Sequence, residues 1–265
     1  MLETKVEYTQ GAVSHTYYTY ESGAVDSVDG GMIDEALLTI YVNAQELATI
    51  MCSPLDEEAL SLGFLYNEGV IDSLADVALI KPNVARTVMD VFLEHSNFSA
   101  PRRLTITSGC GGGIALQNLM EQHPALESNF HVEPDIILER MRDLYGAAKL
   151  YQQVRGVHTA ILADENSLLL SAEDVGRHNT IDKITGKALL EGLDTRDKIL
   201  VASGRISSEM VTKARRMAVP LVVSRTAPTS FAVQLAEAWN ICLVGYVRRG
   251  SFRVYTNPQR LGISS

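Results

Sequence analysis

The chain is predicted to be α/β in its larger part and α+β overall. A small α+β unit spans residues 1–105, a cysteine loop with a linking helix spans 106–133, and a layered α/β/α domain spans 134–265. Three observations carry this. From His158 onward, short apolar runs of strand length alternate with helical segments, the pattern of a largely parallel sheet covered on both faces. Between Asp135 and Gln153, Ile137, Met141, Leu144, Ala148 and Tyr151 recur at helical spacing. Before residue 100, paired strand-like runs surround a single helix, as in a compact α+β unit.

The first thirty residues are polar and tyrosine-rich and read as an irregular arm with one strand near Tyr17–Tyr20. Leu37–Val42 and Leu47–Met51 flank Asn43-Ala44-Gln45 and form a hairpin. Ser53-Pro54-Leu55-Asp56 offers an N-cap, a proline at N1 and an acid at N3, so a helix is expected from there to Asn67, stopping at Gly69. Strands follow at Val77–Lys81 and Arg86–Leu93. One amphipathic helix is expected over Asp135–Gln153, ended by Gly156. Then come strands at His158–Leu162 and Ser167–Ser171, a helix over Val175–Glu191, a strand at Lys198–Ala202, a helix over Ser207–Met217, a strand at Leu221–Ser224 and a helix over Thr229–Trp239. Strands at Ile241–Val247 and Phe252–Thr256 complete the chain.

With 265 residues, 46% of them hydrophobic, the chain can bury a substantial core. Its longest apolar runs fall far short of the roughly 18 residues of a spanning helix. The start, M-L-E-T-K-V-E, lacks the features of a signal peptide, so no membrane association and a cytoplasmic location are expected. A net charge of -9 argues against general nucleic-acid binding; an anionic partner would need a local arginine cluster. Cys52, Cys110 and Cys242 are far apart and odd in number, which suggests neither a disulfide framework nor a zinc site.

Cys110 stands apart from the other two. It lies in T-I-T-S-G-C-G-G-G, after an apolar run from Leu104 to Thr107 and before a possible helix over Ile114–Met120. Gly109, Gly111, Gly112 and Gly113 can adopt positive φ at little steric cost. A thiol so placed is accessible, and nearby backbone N–H groups lower its pKa, as a nucleophile requires. A glycine loop with an incidental cysteine is the alternative.

Glu173-Asp174-Val175-Gly176-Arg177-His178-Asn179 sits where a strand passes into a helix. On a helix, Asp174, His178 and Asp182 fall near one face, where two carboxylates would raise the imidazole pKa and suit His178 to proton transfer. A capped helix start with a satisfied histidine is the alternative. Three later strands end in Ser203-Gly204-Arg205-Ile206-Ser207, Ser224-Arg225-Thr226-Ala227-Pro228-Thr229 and Arg248-Arg249-Gly250-Ser251. Hydroxyls, free N–H groups and arginines at strand ends are anion sites in α/β sheets, so a ligand with more than one phosphate is expected at Ser203, Arg205, Arg225, Thr229, Arg248 and Arg249.

Taken with Met51-Cys52-Ser53-Pro54, Gly63 to Gly69, Gly156 to Ala160, Asp182-Lys183 and Val254-Tyr255-Thr256, these segments resemble, in order, the formate dehydrogenase accessory sulfurtransferases of the FdhD/NarQ family. The resemblance covers most of the chain. It implies a C-terminal domain like that of cytidine deaminase, a homodimer, and sulfur transfer through a cysteine persulfide. The donor would be a cysteine desulfurase, and the acceptor the bis-molybdopterin guanine dinucleotide form of the molybdenum cofactor, which formate dehydrogenase needs. That cofactor would be bound transiently, with GDP as a mimic. Carried over, Cys110 bears the persulfide, and Tyr246, Val247, Arg248, Arg249, Gly250 and Ser251 match the cofactor-contacting stretch, joined by Asp174 of the polar cluster. The family loop usually reads C-G-x-C-G, whereas this chain has Gly113 at the second cysteine, which leaves single-cysteine transfer or a noncatalytic cofactor carrier. A zinc deaminase needs H-x-E paired with P-C-x-x-C; no P-C-x-x-C occurs here, and no metal site is expected.

Overall fold

The computed structural model describes residues 8–95, 98 and 123–263. The Cys110 loop, the expected strand end at Leu104–Thr107 and the expected helix over Ile114–Met120 lie outside the described residues.

The N-terminal arm is a regular hairpin, β1 (Ala12–Glu21) and β2 (Ala24–Ile33), where the sequence suggested one short strand. The turn is built from Ser22 and Gly23, both at positive φ. Gly30 and Gly31 look like a loop in sequence but lie within β2. Tyr17 and Tyr8 lean over them and occupy the space that a Cβ would take.

Next come β3 (Ala36–Val42), β4 (Gln45–Cys52), α1 (Glu57–Asn67), a 3-10 turn at Leu74–Asp76, β5 (Val77–Pro82) and β6 (Val88–Leu93). They form a sheet of order β4-β3-β6-β5, with β3 parallel to β6. Leu38, Ile40 and Val42 alternate inward from β3 and meet Leu60, Leu62 and Leu65 of α1. The helix begins later than its N-cap signal suggested. Ser53 is drawn away instead: its hydroxyl accepts from Val175 N at 3.2 Å, and its own N–H donates to Asp174 at 3.1 Å.

The expected single helix over Asp135–Gln153 is two, α2 (Pro134–Ala147) and α3 (Lys149–Val154), broken at Ala148. Glu173 stabilises the break by accepting from Leu150 N at 2.7 Å and Tyr151 N at 3.0 Å, as an N-terminal carboxylate does.

The remaining elements are β7 (His158–Ala163), β8 (Leu168–Asp174), α4 (Arg177–Glu191), β9 (Ile199–Ala202), α5 (Ser208–Arg216), β10 (Leu221–Ser224), α6 (Ser230–Ala238), β11 (Cys242–Arg248), β12 (Ser251–Val254) and a 3-10 turn at Pro258–Leu261. The sheet order is β12-β11-β10-β9-β7-β8. Only the neighbours β9, β10 and β11 pair in parallel; β7 is antiparallel to β8 and β9, and β12 to β11. The sheet is therefore mixed, not largely parallel. The connections 164–167 and 249–250 are hairpin-length and cannot hold a crossover.

Both faces are covered. Ile161, Val201, Val223 and Val244 point toward Ile137, Met141 and Leu144 of α2, while Leu162, Leu200, Val222 and Leu243 meet Ile184 of α4, Met210 of α5 and Leu235 of α6. The two units join where α1 crosses α4. A Cβ on Gly63 would collide with the Asp182 carbonyl, and one on Gly186 with the Ala59 carbonyl, so glycine on both helices permits backbone contact. No described helix is long and apolar enough to cross a membrane.

Candidate functional site

Because β8, β9, β10 and β11 share one direction, the polar loops that follow them gather on one edge of the sheet. Since β7 runs the other way, its first residue, His158, lies on that edge too. Short hydrogen bonds stitch the loops together. Ser203 Oγ accepts from Thr159 N at 3.0 Å and lies 3.3 Å from His158 Nδ1; Ser224 Oγ donates to Gly204 O at 2.6 Å. Ile206 N donates to Ala227 O, Thr229 N to Ile206 O, Tyr246 N to Thr226 O, and the Arg248 guanidinium to Arg225 O.

His178 is the second residue of α4. Its Nε2 lies 2.9 Å from Ser207 Oγ and its Nδ1 3.1 Å from Glu209. Ser207 Oγ also takes the Met210 N–H as the N-cap of α5. The hydroxyl therefore donates to Nε2, and the neutral imidazole carries its proton on Nδ1, toward Glu209. Burial, then the Arg177 and Lys213 charges, pull its pKa down to about 4, with Asp182 opposing. This reverses the expected rise. Asp174 ends the strand and is not on the helix, and Asp182, held by Lys213 at 2.6 Å, raises it by less than burial and the two cations lower it. His158 is likewise lowered, by burial and then by Arg177.

Asp174 has no exposed surface. One oxygen takes Lys183 Nζ at 2.6 Å and Ser53 N, the other Gly176 N and Asn179 Nδ2. It fastens the two units together and is closed to solvent. Val247 points into the α2-side core, and the Thr229 hydroxyl caps α6 by accepting from Ala232 N at 3.3 Å. Arg205, Arg225, Arg248, Arg249, Gly250 and Ser251 are exposed, and none of these four arginines has a carboxylate partner among the described residues. Arg225 lies over the Tyr145 ring at 5.8 Å, and Arg253 over Tyr246 at 4.3 Å. Tyr246 itself sits at positive φ in the bulge that turns the arginine loop outward.

Two residues of this edge escaped the sequence reading as site residues, His158 and Arg177. His158 opens a strand, and only the antiparallel direction of β7 brings it to the loops; the hairpin-length connection 164–167 was the available signal. Two concavities lie elsewhere. One, about 670 Å³, is on the opposite edge of the sheet and is lined by Glu127, Asp164, Glu165 and Asp197; the other, about 600 Å³, lies between Leu55, Arg142 and Lys187. The first is acidic and unsuited to an anion.

Fold and edge together define a two-unit α+β protein with exposed, carboxylate-free arginines at the carboxyl ends of its central strands. The FdhD/NarQ family model matches residues 33–262, and the chain belongs to that family. It is 38% identical over 249 residues to the sulfur carrier protein FdhD of Bacillus subtilis (strain 168), covering 92% of this chain and 95% of that one. It is 34% identical over 247 residues to the protein of the same name from Staphylococcus aureus (strain MRSA252), covering 91% and 93%. A crystal structure from Desulfotalea psychrophila, described as that of a formate dehydrogenase accessory protein, superimposes with a TM-score of 0.79 at 25% identity, covering 94% of this chain and 99% of that one.

Proposed function

We infer that this protein carries sulfur as a persulfide on Cys110, from a cysteine desulfurase to the bis-molybdopterin guanine dinucleotide cofactor of a formate dehydrogenase, acting as a homodimer. The observation that carries this reading is the state of the other two thiols. Cys52 and Cys242 are buried, and burial pushes both up to about 12, so neither ionises at neutral pH. Of the three cysteines, this leaves Cys110 as the candidate carrier.

In the loading step the Cys110 thiolate attacks the terminal sulfur of the donor's persulfide. The donor S–S bond breaks, a new one forms on Cys110, and the donor leaves as a thiolate. The exposed arginines supply the counter-charge for the phosphates of the acceptor. Incubation with a cysteine desulfurase and cysteine should add one sulfur mass to the Cys110 peptide. Cys110→Ser should lose both that label and formate dehydrogenase activation, while Cys242→Ser keeps both.

Gly113, in place of the family's second cysteine, favours a second reading, a carrier of the cofactor without sulfur chemistry. A Cys110→Ser protein that still activates the dehydrogenase would select it. In both readings Arg205→Ala and Arg248→Ala should each weaken GDP binding by about 1.5–3 kcal/mol, the scale of one charge-assisted contact, as measured by calorimetry.

A further inference from the structure

Arg177 opens α4 between the two imidazoles of this strand edge. We propose that Arg177 and His158, beside the Ser203 hydroxyl, form a separate subsite for a phosphate group at the β7–β9 end of this edge. The proposal rests on the nucleotide reading above and extends it to residues outside the arginine loops.

The first argument is placement. A Cβ on Gly204 would stand 3.1 Å from Arg177 Cβ and 3.2 Å from His158 Nδ1, so the Ser203–Ser207 turn packs against both side chains and holds them on one wall. His158 Nδ1 faces Ser203 Oγ at 3.3 Å, while its Nε2 has no hydrogen-bond partner among the described residues.

The second argument is charge. Arg177 Nε is sealed from solvent and has no hydrogen-bond partner among the described residues. The neighbouring acids are committed: Asp174 to Lys183, Asp182 to Lys213, and Glu209 to His178 and, at 3.9 Å, to Lys213. A guanidinium with one N–H sealed from water and no carboxylate partner among the described residues leaves a charge to be met, and a bidentate oxyanion is the ligand that fits its fork.

The third is the response of the imidazoles. His158 faces Arg177 and Asp174, and His178 faces Arg177, Lys213, Asp182, His158 and Glu209. A phosphate beside Arg177 offsets the charge that, after burial, does most to keep both rings neutral, so binding draws a proton toward His158 and tightens as pH falls.

The test uses the full chain and inorganic pyrophosphate. Calorimetry should show Arg177→Gln weakening pyrophosphate binding roughly 10- to 100-fold, the loss of one charged contact. His158→Gln should weaken it too, which keeps the test available if one variant does not fold. In the wild-type protein, saturating pyrophosphate should move the His158 ring resonances and raise that residue's NMR-measured pKa; in Arg177→Gln it should do neither. Equal affinity in wild type and both variants overturns the subsite, as does absence of binding to the wild type at millimolar pyrophosphate. Binding that leaves the His158 ring unmoved also overturns it and assigns the anion to the arginine loops. Arg205→Ala losing GDP while Arg177→Gln binds pyrophosphate normally would sink this subsite and leave the nucleotide reading intact.

Discussion

Lys183 and Asp174 meet at 2.6 Å with neither side chain exposed, and Lys183 also donates to Ser53 O and Glu173 O at 3.2 Å. Breaking such a pair strands the remaining charge in the interior. Lys183→Met should therefore cost about 3–5 kcal/mol in urea denaturation, and Asp174→Leu combined with it should recover part of the loss. His178 supplies a second residue-scale prediction. Its folded pKa, about 4, lies below the unfolded value of 6.5, so between those values the unfolded chain binds the extra proton. Stability from the neutral ring is thus fully present above about pH 6.5 and is lost as pH falls toward 4, by roughly 2–3 kcal/mol. His178→Gln should flatten the dependence of the urea midpoint on pH across that window. An unchanged slope would assign the acid sensitivity to other groups.

Between elements, the decisive contact is the crossing of α1 and α4, where Gly63 and Gly186 let the backbones touch. Gly63→Ala must push the helices apart and pull Asn67 Nδ2 from Asp182, to which it donates at 2.7 Å. A loss of about 3 kcal/mol or more is expected in chemical denaturation, at the upper end for overpacking. Neither glycine announced this role, because a glycine inside a helix pattern marks close packing without naming its partner. The alternation of strands and helices from His158 onward was legible, since apolar strands buried on both faces leave a strong pattern. Strand direction was not, because period-2 burial is the same in either sense. The same ambiguity hid His158. The β1–β2 hairpin was missed for a different reason: none of its strand residues is buried, and without a buried face there is no alternation to read. The arginine loops, by contrast, were legible because each follows an apolar strand and most precede a capped helix.

At the scale of the molecule, the two units share their buried charges. Ser53, from the N-terminal unit, holds Asp174 and Lys183 of the C-terminal unit. Asn67 holds Asp182, and Arg216 donates to Tyr66 O at 2.6 Å and Ile71 O at 3.0 Å. Separating the units would uncover both ion pairs and the glycine face of α4, so the molecule should unfold as one cooperative body. The single tryptophan makes this measurable. Trp239 is buried in the C-terminal core, remote in sequence from the N-terminal strands, and its fluorescence reports that unit alone. Urea transitions followed by Trp239 fluorescence and by far-UV circular dichroism should coincide in the wild type and shift together in Lys183→Met. Two separated transitions would show that the N-terminal unit is only docked. The Glu173–Asn179 turn, tied through Asp174 to Ser53, would then not need that unit for its shape.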